Sequence, residues 1–206
     1  IRGKGPKGTN AVRCVFMTHG CLIGFTLTNG HTFIEQGLYE DLEGGGVYME
    51  MSATVSNCMI VGNMAVTGGG VHGGQVYHCT IRGNTANTGG GVHGGQVYHC
   101  TIRGNTAGSG GGGFEGVYVN CLISENNADR YGGLHWGKIY NCTIVANHSH
   151  SGGGYRGVYA RDSIIYFNTD DRGVDKQQLW GNAFVHCCHP GLSGAGNICN
   201  DPQFMD

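Results

Sequence analysis

Two aspartates and a histidine recur at one position of a repeating pattern and could carry out acid–base chemistry. Asp129, His150 and Asp171 follow one another at equal intervals, and Arg130 and Arg172 come directly after the two aspartates. If residues one period apart lie on top of each other, the two carboxylates lie about 10 Å apart with the imidazole between them. Such a group could transfer protons, and the arginines could hold an anionic sugar. The alternative, which we favour, is a solvated edge with local ion pairs that contribute little.

Histidines form a second group that could do chemistry. His72 and His93 share one repeat position, and His78 and His99 share another. Stacked imidazoles are suitable ligands for zinc, copper or nickel. Asparagines replace the second pair in the next two copies, however, and duplicated repeats copy surface residues whether or not they bind a ligand. We therefore predict no metal site and no cofactor.

Three cysteines near the end of the sequence lie outside the repeats: Cys187, Cys188 and Cys199. With the neighbouring histidines they offer zinc-ligand types, but adjacent ligands rarely suit one tetrahedral centre and no CxxC spacing is present. A disulfide between the adjacent pair and Cys199 is the favoured interpretation.

Tyrosines recur near the start of one predicted strand, at Tyr77, Tyr98 and Tyr140. Directed outward, they could stack on sugar rings; directed inward, they would belong to the core. We favour the core.

Apart from the three cysteines near the end, these residues are positioned by a strict repeat with a period of 21 residues, which no insertion or deletion interrupts. Three kinds of residue mark it, and each kind would form a ladder if the copies stack. The asparagines are Asn63, Asn84, Asn105, Asn126, Asn147 and Asn168; the isoleucines are Ile60, Ile81, Ile102, Ile123, Ile144 and Ile165; the cysteines are Cys58, Cys79, Cys100, Cys121 and Cys142. Such strictness indicates that each residue lies on its own copy in the next repeat, as in a solenoid.

The period and its polarity pattern predict the kind of solenoid. Helical repeats need more than about 30 residues. The segment 97–103 instead alternates between apolar and polar residues, with Cys100 and Ile102 on one face. Alternation with period two indicates strands, and parallel crossovers are right-handed. We predict an all-β, right-handed, single-stranded parallel β-helix with about 21 residues per coil.

The ladder residues then have structural roles. Stacked isoleucines fill a narrow core without voids, and stacked asparagine amides bond to one another and to the turn backbone. The ladder cysteines are expected to be small apolar thiols, because parallel side chains in one rotamer do not readily reach the disulfide torsion.

Length and composition set the boundaries. The 206 residues predict one domain, 1–206, with irregular coils at 1–54, regular repeats at 55–168 and an irregular coil and tail at 169–206. An acidic insertion near 31–43 is the best candidate for a short helix or a protruding loop. Charged residues make up 13% and the net charge is −2, which does not suggest nucleic acid. No apolar run is long enough to span a membrane.

Short motifs resemble a known group of proteins. The blocks Gly69-Gly70-Val71 and Ile81-Arg82-Gly83-Asn84 recur throughout. They resemble the blocks of right-handed parallel β-helix proteins of the pectate-lyase-like superfamily, especially repetitive, adhesin-like bacterial surface members such as the polymorphic outer-membrane proteins. The resemblance implies secretion or a bacterial cell-surface location and polysaccharide as a partner, with Ca²⁺ in members that are enzymes.

Two functions follow from these observations. The first is a structural or adhesive β-helix, a stalk or fibre subunit that stacks end to end through its exposed strand edges. The second is a polysaccharide lyase or glycoside hydrolase acting through Asp129, His150 and Asp171. We prefer the first, because a catalytic face needs individually distinct residues on adjacent coils, and the repeats between Val76 and Gly110 are nearly identical.

Overall fold

The chain folds into stacked coils of parallel strands. The computed structural model describes residues 1–5, 10–32, 39–173, 183–191, 196–198 and 200–202. In this part every pairing between the named strands is parallel, and the strands form sheets of ten, seven and five members.

The strands are numbered in chain order. The first sheet contains β1 (Val15–Ile23), β3 (Val47–Ser56), β5 (Val71–Tyr77), β8 (Val92–His93), β9 (Gln96–Tyr98), β12 (Gly113–Phe114), β13 (Val117–Val119), β16 (Leu134–Tyr140), β19 (Tyr155–Arg161) and β22 (Ala183–Val185). The second contains β2 (Thr26–Thr28), β4 (Met59–Val61), β6 (Thr80–Arg82), β10 (Thr101–Arg103), β14 (Leu122–Ser124), β17 (Thr143–Val145) and β20 (Ile164–Tyr166). The third contains β7 (Thr85–Thr88), β11 (Thr106–Ser109), β15 (Asn127–Arg130), β18 (His148–Ser151) and β21 (Thr169–Asp170).

The register confirms the predicted parallel β-helix. Ile102 pairs with Ile81 on one side and with Ile123 on the other. All three side chains are fully buried. Asn63 and Asn84 are hydrogen-bonded through their side chains and lie 21 residues apart in the sequence. Each repeat position therefore forms a column along the stack, and its members are separated by one predicted period.

The acidic insertion contains a 3₁₀ helix at Tyr39–Leu42, so a short helical turn occurs where one was predicted. Residues 33–38 of this insertion lie outside the described residues. No helix in the described part is long and apolar enough to cross a membrane.

The asparagine column ties each coil to the next. The Oδ1 atom of Asn105 accepts hydrogen bonds from the backbone N and the Nδ2 of Asn84, at 2.9 and 3.0 Å. The Nδ2 of Asn105 donates to the carbonyl of Ile81 and to Oδ1 of Asn126. A buried polar side chain is stable only when it is hydrogen-bonded, and these amides use both their donors and their acceptor.

The five ladder cysteines are buried free thiols. The backbone N of Cys79 donates to Sγ of Cys100 at 3.3 Å, and Sγ of Cys79 lies 3.2 Å from the carbonyl oxygen of Tyr77. The column thus packs as small apolar side chains that also satisfy the backbone of the neighbouring coil.

Candidate functional site

The predicted catalytic residues lie on the solvent-exposed side of the third sheet. His150 is in β18, and Asp171 follows β21 one coil further on. The structure brings these two together: one carboxylate oxygen of Asp171 contacts Nδ1 of His150, and the other lies 3.1 Å from Nε2 of His148. Sequence reasoning missed His148, although its position two residues before His150 on a strand places both on the same face.

The other members of the predicted site do not join this cluster. Among the described residues, Asp129, Arg130 and Arg172 make no ion pair. Asp129 extends toward Gly108 in the preceding coil, and the backbone N of Arg172 donates to Oδ1 of Asp170. The structure therefore pairs one carboxylate with two imidazoles and leaves the second carboxylate apart.

This edge is open to water. The side chain of His150 is 77% exposed, and those of His148 and Asp171 are nearly half exposed. Exposed ion pairs contribute about 0 to 1 kcal/mol to stability, since water and salt screen them. The geometry matches the solvated edge better than an enclosed acid–base site.

The cysteine cluster near the C-terminal end is only partly described. Cys187 is buried, and Cys188 pairs with Ile164 and Ile198 through isolated β-bridges. Cys199 lies outside the described residues, so the disulfide to it stays a prediction. His189 is buried with its Nε2 on the Tyr155 hydroxyl. Within the described part, no cluster of histidine, cysteine or acidic side chains could hold a metal ion.

An aromatic column runs along the outer face of the first sheet. The rings of Phe16, Tyr48, His72, His93 and Phe114 stack in this order, with centroids 5.0 to 5.2 Å apart. Because neighbouring rings cover one another's faces, the column presents ring edges to solvent. Sugar rings pack against aromatic faces, so this column provides no exposed ring face on which a sugar could stack.

The histidines of this column are held neutral. Burial, with the charges of His93 and Arg13, lowers the pKa of His72 to about 4. Burial also lowers the pKa of His93, which the carboxylate of Glu115 partly offsets. His72 lies 3.2 Å from a carboxylate oxygen of Glu43 through Nε2, so the neutral ring donates its proton there.

The tyrosine column is outside the core, which corrects the favoured prediction. In β5 the side chain of Val76 is buried, and strand alternation turns that of Tyr77 outward. The Tyr77 and Tyr98 rings stack 4.8 Å apart, and each hydroxyl donates to Oε1 of the glutamine two residues before it. The direction could not be read from sequence because it depends on where the strand ends, at the positive-φ residue His78.

A cavity of about 730 Å³ opens on this same face and was not predicted. It forms because four residues of β3, 50–53, stand opposite the single Gly74 of β5. The resulting bulge projects over a floor of Gly73, Gly74 and Gly95, and Met51 at the bulge is 88% exposed. His72, Gln75 and Gln96 also line the cavity. Its volume lies in the range of small-molecule sites.

Comparison with known proteins identified no relative of this chain. No protein-family model, curated protein or solved structure matches the chain. The fold is therefore established by its strand register alone, and the relationship to the pectate-lyase-like superfamily remains a resemblance of motifs.

Proposed function

We propose that this chain is a rigid structural and adhesive module of a secreted or bacterial cell-surface protein. The observation that carries the proposal is the unbroken asparagine column from Asn63 to Asn168, in which every coil is hydrogen-bonded to the next by buried amides. A stack locked in this way keeps its outer faces in fixed positions. The motif resemblance to repetitive bacterial surface proteins supports the same role.

The polysaccharide lyase or hydrolase is the second candidate, and the site geometry disfavours it. Asp171 is shared by two imidazoles in open solvent, and Asp129 is not held beside them. A catalytic pair needs positions fixed by surrounding side chains.

An assay for bond cleavage separates the two. We expect the purified chain to release neither unsaturated nor reducing ends from a panel of acidic polysaccharides, with and without Ca²⁺. Release that disappears in Asp171→Ala and persists in the exposed control Asn87→Ala would overturn the structural role.

Self-association tests the fibre form of the proposal. In the described part β1 is the outermost strand of the first sheet, and Phe16 and Ile23 are exposed on it. Unpaired strand edges invite pairing with another copy. Electron microscopy of the concentrated protein should show end-to-end filaments. A monodisperse monomer at the same concentration would restrict the module to a non-polymerising role.

A further inference from the structure

A protrusion and a recess lie side by side on the outer face of the first sheet. The protrusion is the bulge at 50–53 in β3, in which Met51 is 88% exposed. The Oγ of Ser52 donates to the carbonyl oxygen of Thr18 in β1 at 2.7 Å, and this bond anchors the bulge to the neighbouring strand. The bulge is therefore a fixed part of the surface, and it presents a methionine to solvent.

The recess is the cavity of about 730 Å³ beside the bulge. Its floor carries no side chains, because Gly73, Gly74 and Gly95 form it. A Cβ built on the adjacent Gly94 would meet no atom within 4 Å, so the space above this floor is open. The flexible thioether of a methionine adapts to such irregular spaces, so a residue like Met51 from another chain could enter without displacing any side chain.

Two side chains of opposite charge lie at the two ends of this face. Glu50 is the first residue of the bulge, and Lys138 lies on the outer face of β16; both are exposed. The column of paired residues that connects the two ends reads Thr54, Gln75, Gln96, Val117 and Lys138. Gln96 is the middle member of this column and lies two coils, or about 10 Å, from each end.

The two ends match each other under a two-fold rotation. An axis that is perpendicular to the first sheet and passes Gly95 reverses both the coil stack and the strand direction, and it places the bulge of a second copy over residues 136–138. Because the strands are reversed, Glu50 at the start of that bulge faces Lys138 at the end of this segment. Met51 then lies over Gly137. A surface that is complementary to itself in this way is what an isologous dimer requires.

We propose that two copies of this chain associate side by side through the outer faces of their first sheets, each with its bulge on residues 136–138 of the other. Sheets that pack face to face lie about 10 Å apart, and the two bulges would occupy part of that gap. A second copy fits this face better than a small molecule does, because it supplies both the exposed methionine and the opposite charge. The contact is lateral and closes at two copies, so it goes beyond the end-to-end association proposed above and does not depend on it.

Sedimentation velocity over a concentration series tests the proposal. The unchanged chain should reach the mass of two chains, and Met51→Glu should raise the dissociation constant of the dimer by about tenfold or more. Leu122→Glu places the same charge on the exposed face of the second sheet and is the matched control, which should pair normally.

An exchange of charges provides an independent arm. Glu50→Lys and Lys138→Glu should each weaken the dimer, because each brings like charges together. The double variant should pair as the unchanged chain does, since the ion pair forms again with its signs exchanged.

A monomer at every concentration, or a dimer that is unaffected by Met51→Glu, would overturn the lateral contact. If Met51→Glu also lowers the melting temperature, the charge exchange decides: recovery in the double variant supports the contact, and no recovery overturns it. Filaments that grow equally in all variants without a dimer step would support end-to-end stacking and overturn lateral pairing. A monomer that carries a small molecule in native mass spectrometry would assign the recess to that ligand instead.

Discussion

At the scale of single residues, the buried asparagines are the most demanding positions, because each one satisfies groups on two other coils. Replacing Asn105 by Leu should leave the backbone N–H of Asn84 without its acceptor, and the Nδ2 of Asn84 would keep only the carbonyl of Ile60. An orphaned buried donor costs about 1–3 kcal/mol, so the free energy of unfolding should fall by about 3 kcal/mol or more. Urea denaturation measures this, with exposed Asn87→Ala as the control. A loss below about 0.5 kcal/mol would contradict the role of the ladder.

A second residue-scale prediction concerns two core positions at which a small and a large side chain together replace two valines of the preceding coil. Gly113 stands where the preceding coil has Val92, and Tyr118 stands where it has Val97. A Cβ on Gly113 would overlap the hydroxyl of Tyr118, which is buried without a hydrogen-bond partner in the described part. Gly113→Val alone should destabilise by about 1–3 kcal/mol through overpacking. Adding Tyr118→Val should recover most of that loss, since the pair then matches the preceding coil. Additive effects in the double-mutant cycle would refute the coupling.

At the scale of elements, the partly buried histidines of the first sheet make it sensitive to acid. The folded-state pKa of His93 is below the ordinary value, and that of His135 is lowered to about 4 by burial and the charges of Arg156 and Arg130. Between about pH 6.5 and 4 the unfolded chain therefore binds more protons than the folded one, and stability falls as the pH falls. Above pH 6.5 this contribution is fully present.

The test replaces a histidine by the residue found at the same repeat position in the next coil. Phe114 occupies the position of His93 one coil later, so His93→Phe should keep the stacking and remove one titrating group. The loss of unfolding free energy between pH 7 and pH 4 should be smaller than in the unchanged chain, because the lowered pKa of His93 no longer contributes. Exposed Asn87→Ala, which removes no titrating group, serves as the control. An identical pH profile in His93→Phe would show that this ring does not contribute.

Particular elements also show what the sequence could and could not predict. The register of the isoleucine and asparagine columns followed from the period, because stacking places each residue on its copy. The bulge at 50–53 did not, because it lies before the regular repeats and no second copy marks it. His148 was missed because its column contains Asn127 and Thr169 on either side, so no repeated residue type drew attention to it. The periodicity of the chain therefore predicts the residues that recur, and it cannot predict a feature that occurs once, such as the bulge at 50–53.

At the scale of the whole molecule, the coil stack behaves as a one-dimensional array in which each coil contacts only its neighbours. Central coils have two neighbours of nearly identical sequence, whereas outer coils adjoin irregular segments. Opening should therefore spread inward from the ends. The ladder cysteines allow this order of opening to be measured, because one buried thiol lies in each successive coil from Cys58 to Cys142.

Thiol alkylation followed by peptide mass spectrometry measures the order of opening. Exposed Cys21 should react at once and calibrate the reagent. In mild urea Cys58 and Cys142 should be labelled before Cys100, because labelling a central thiol requires several coils to open together. Asn105→Leu should abolish the delay at Cys100 by breaking the ladder beside it, while Asn87→Ala should not. Equal labelling rates at all five thiols in the unchanged chain would mean that the stack opens as one cooperative unit, and the additive nearest-neighbour description would then be wrong.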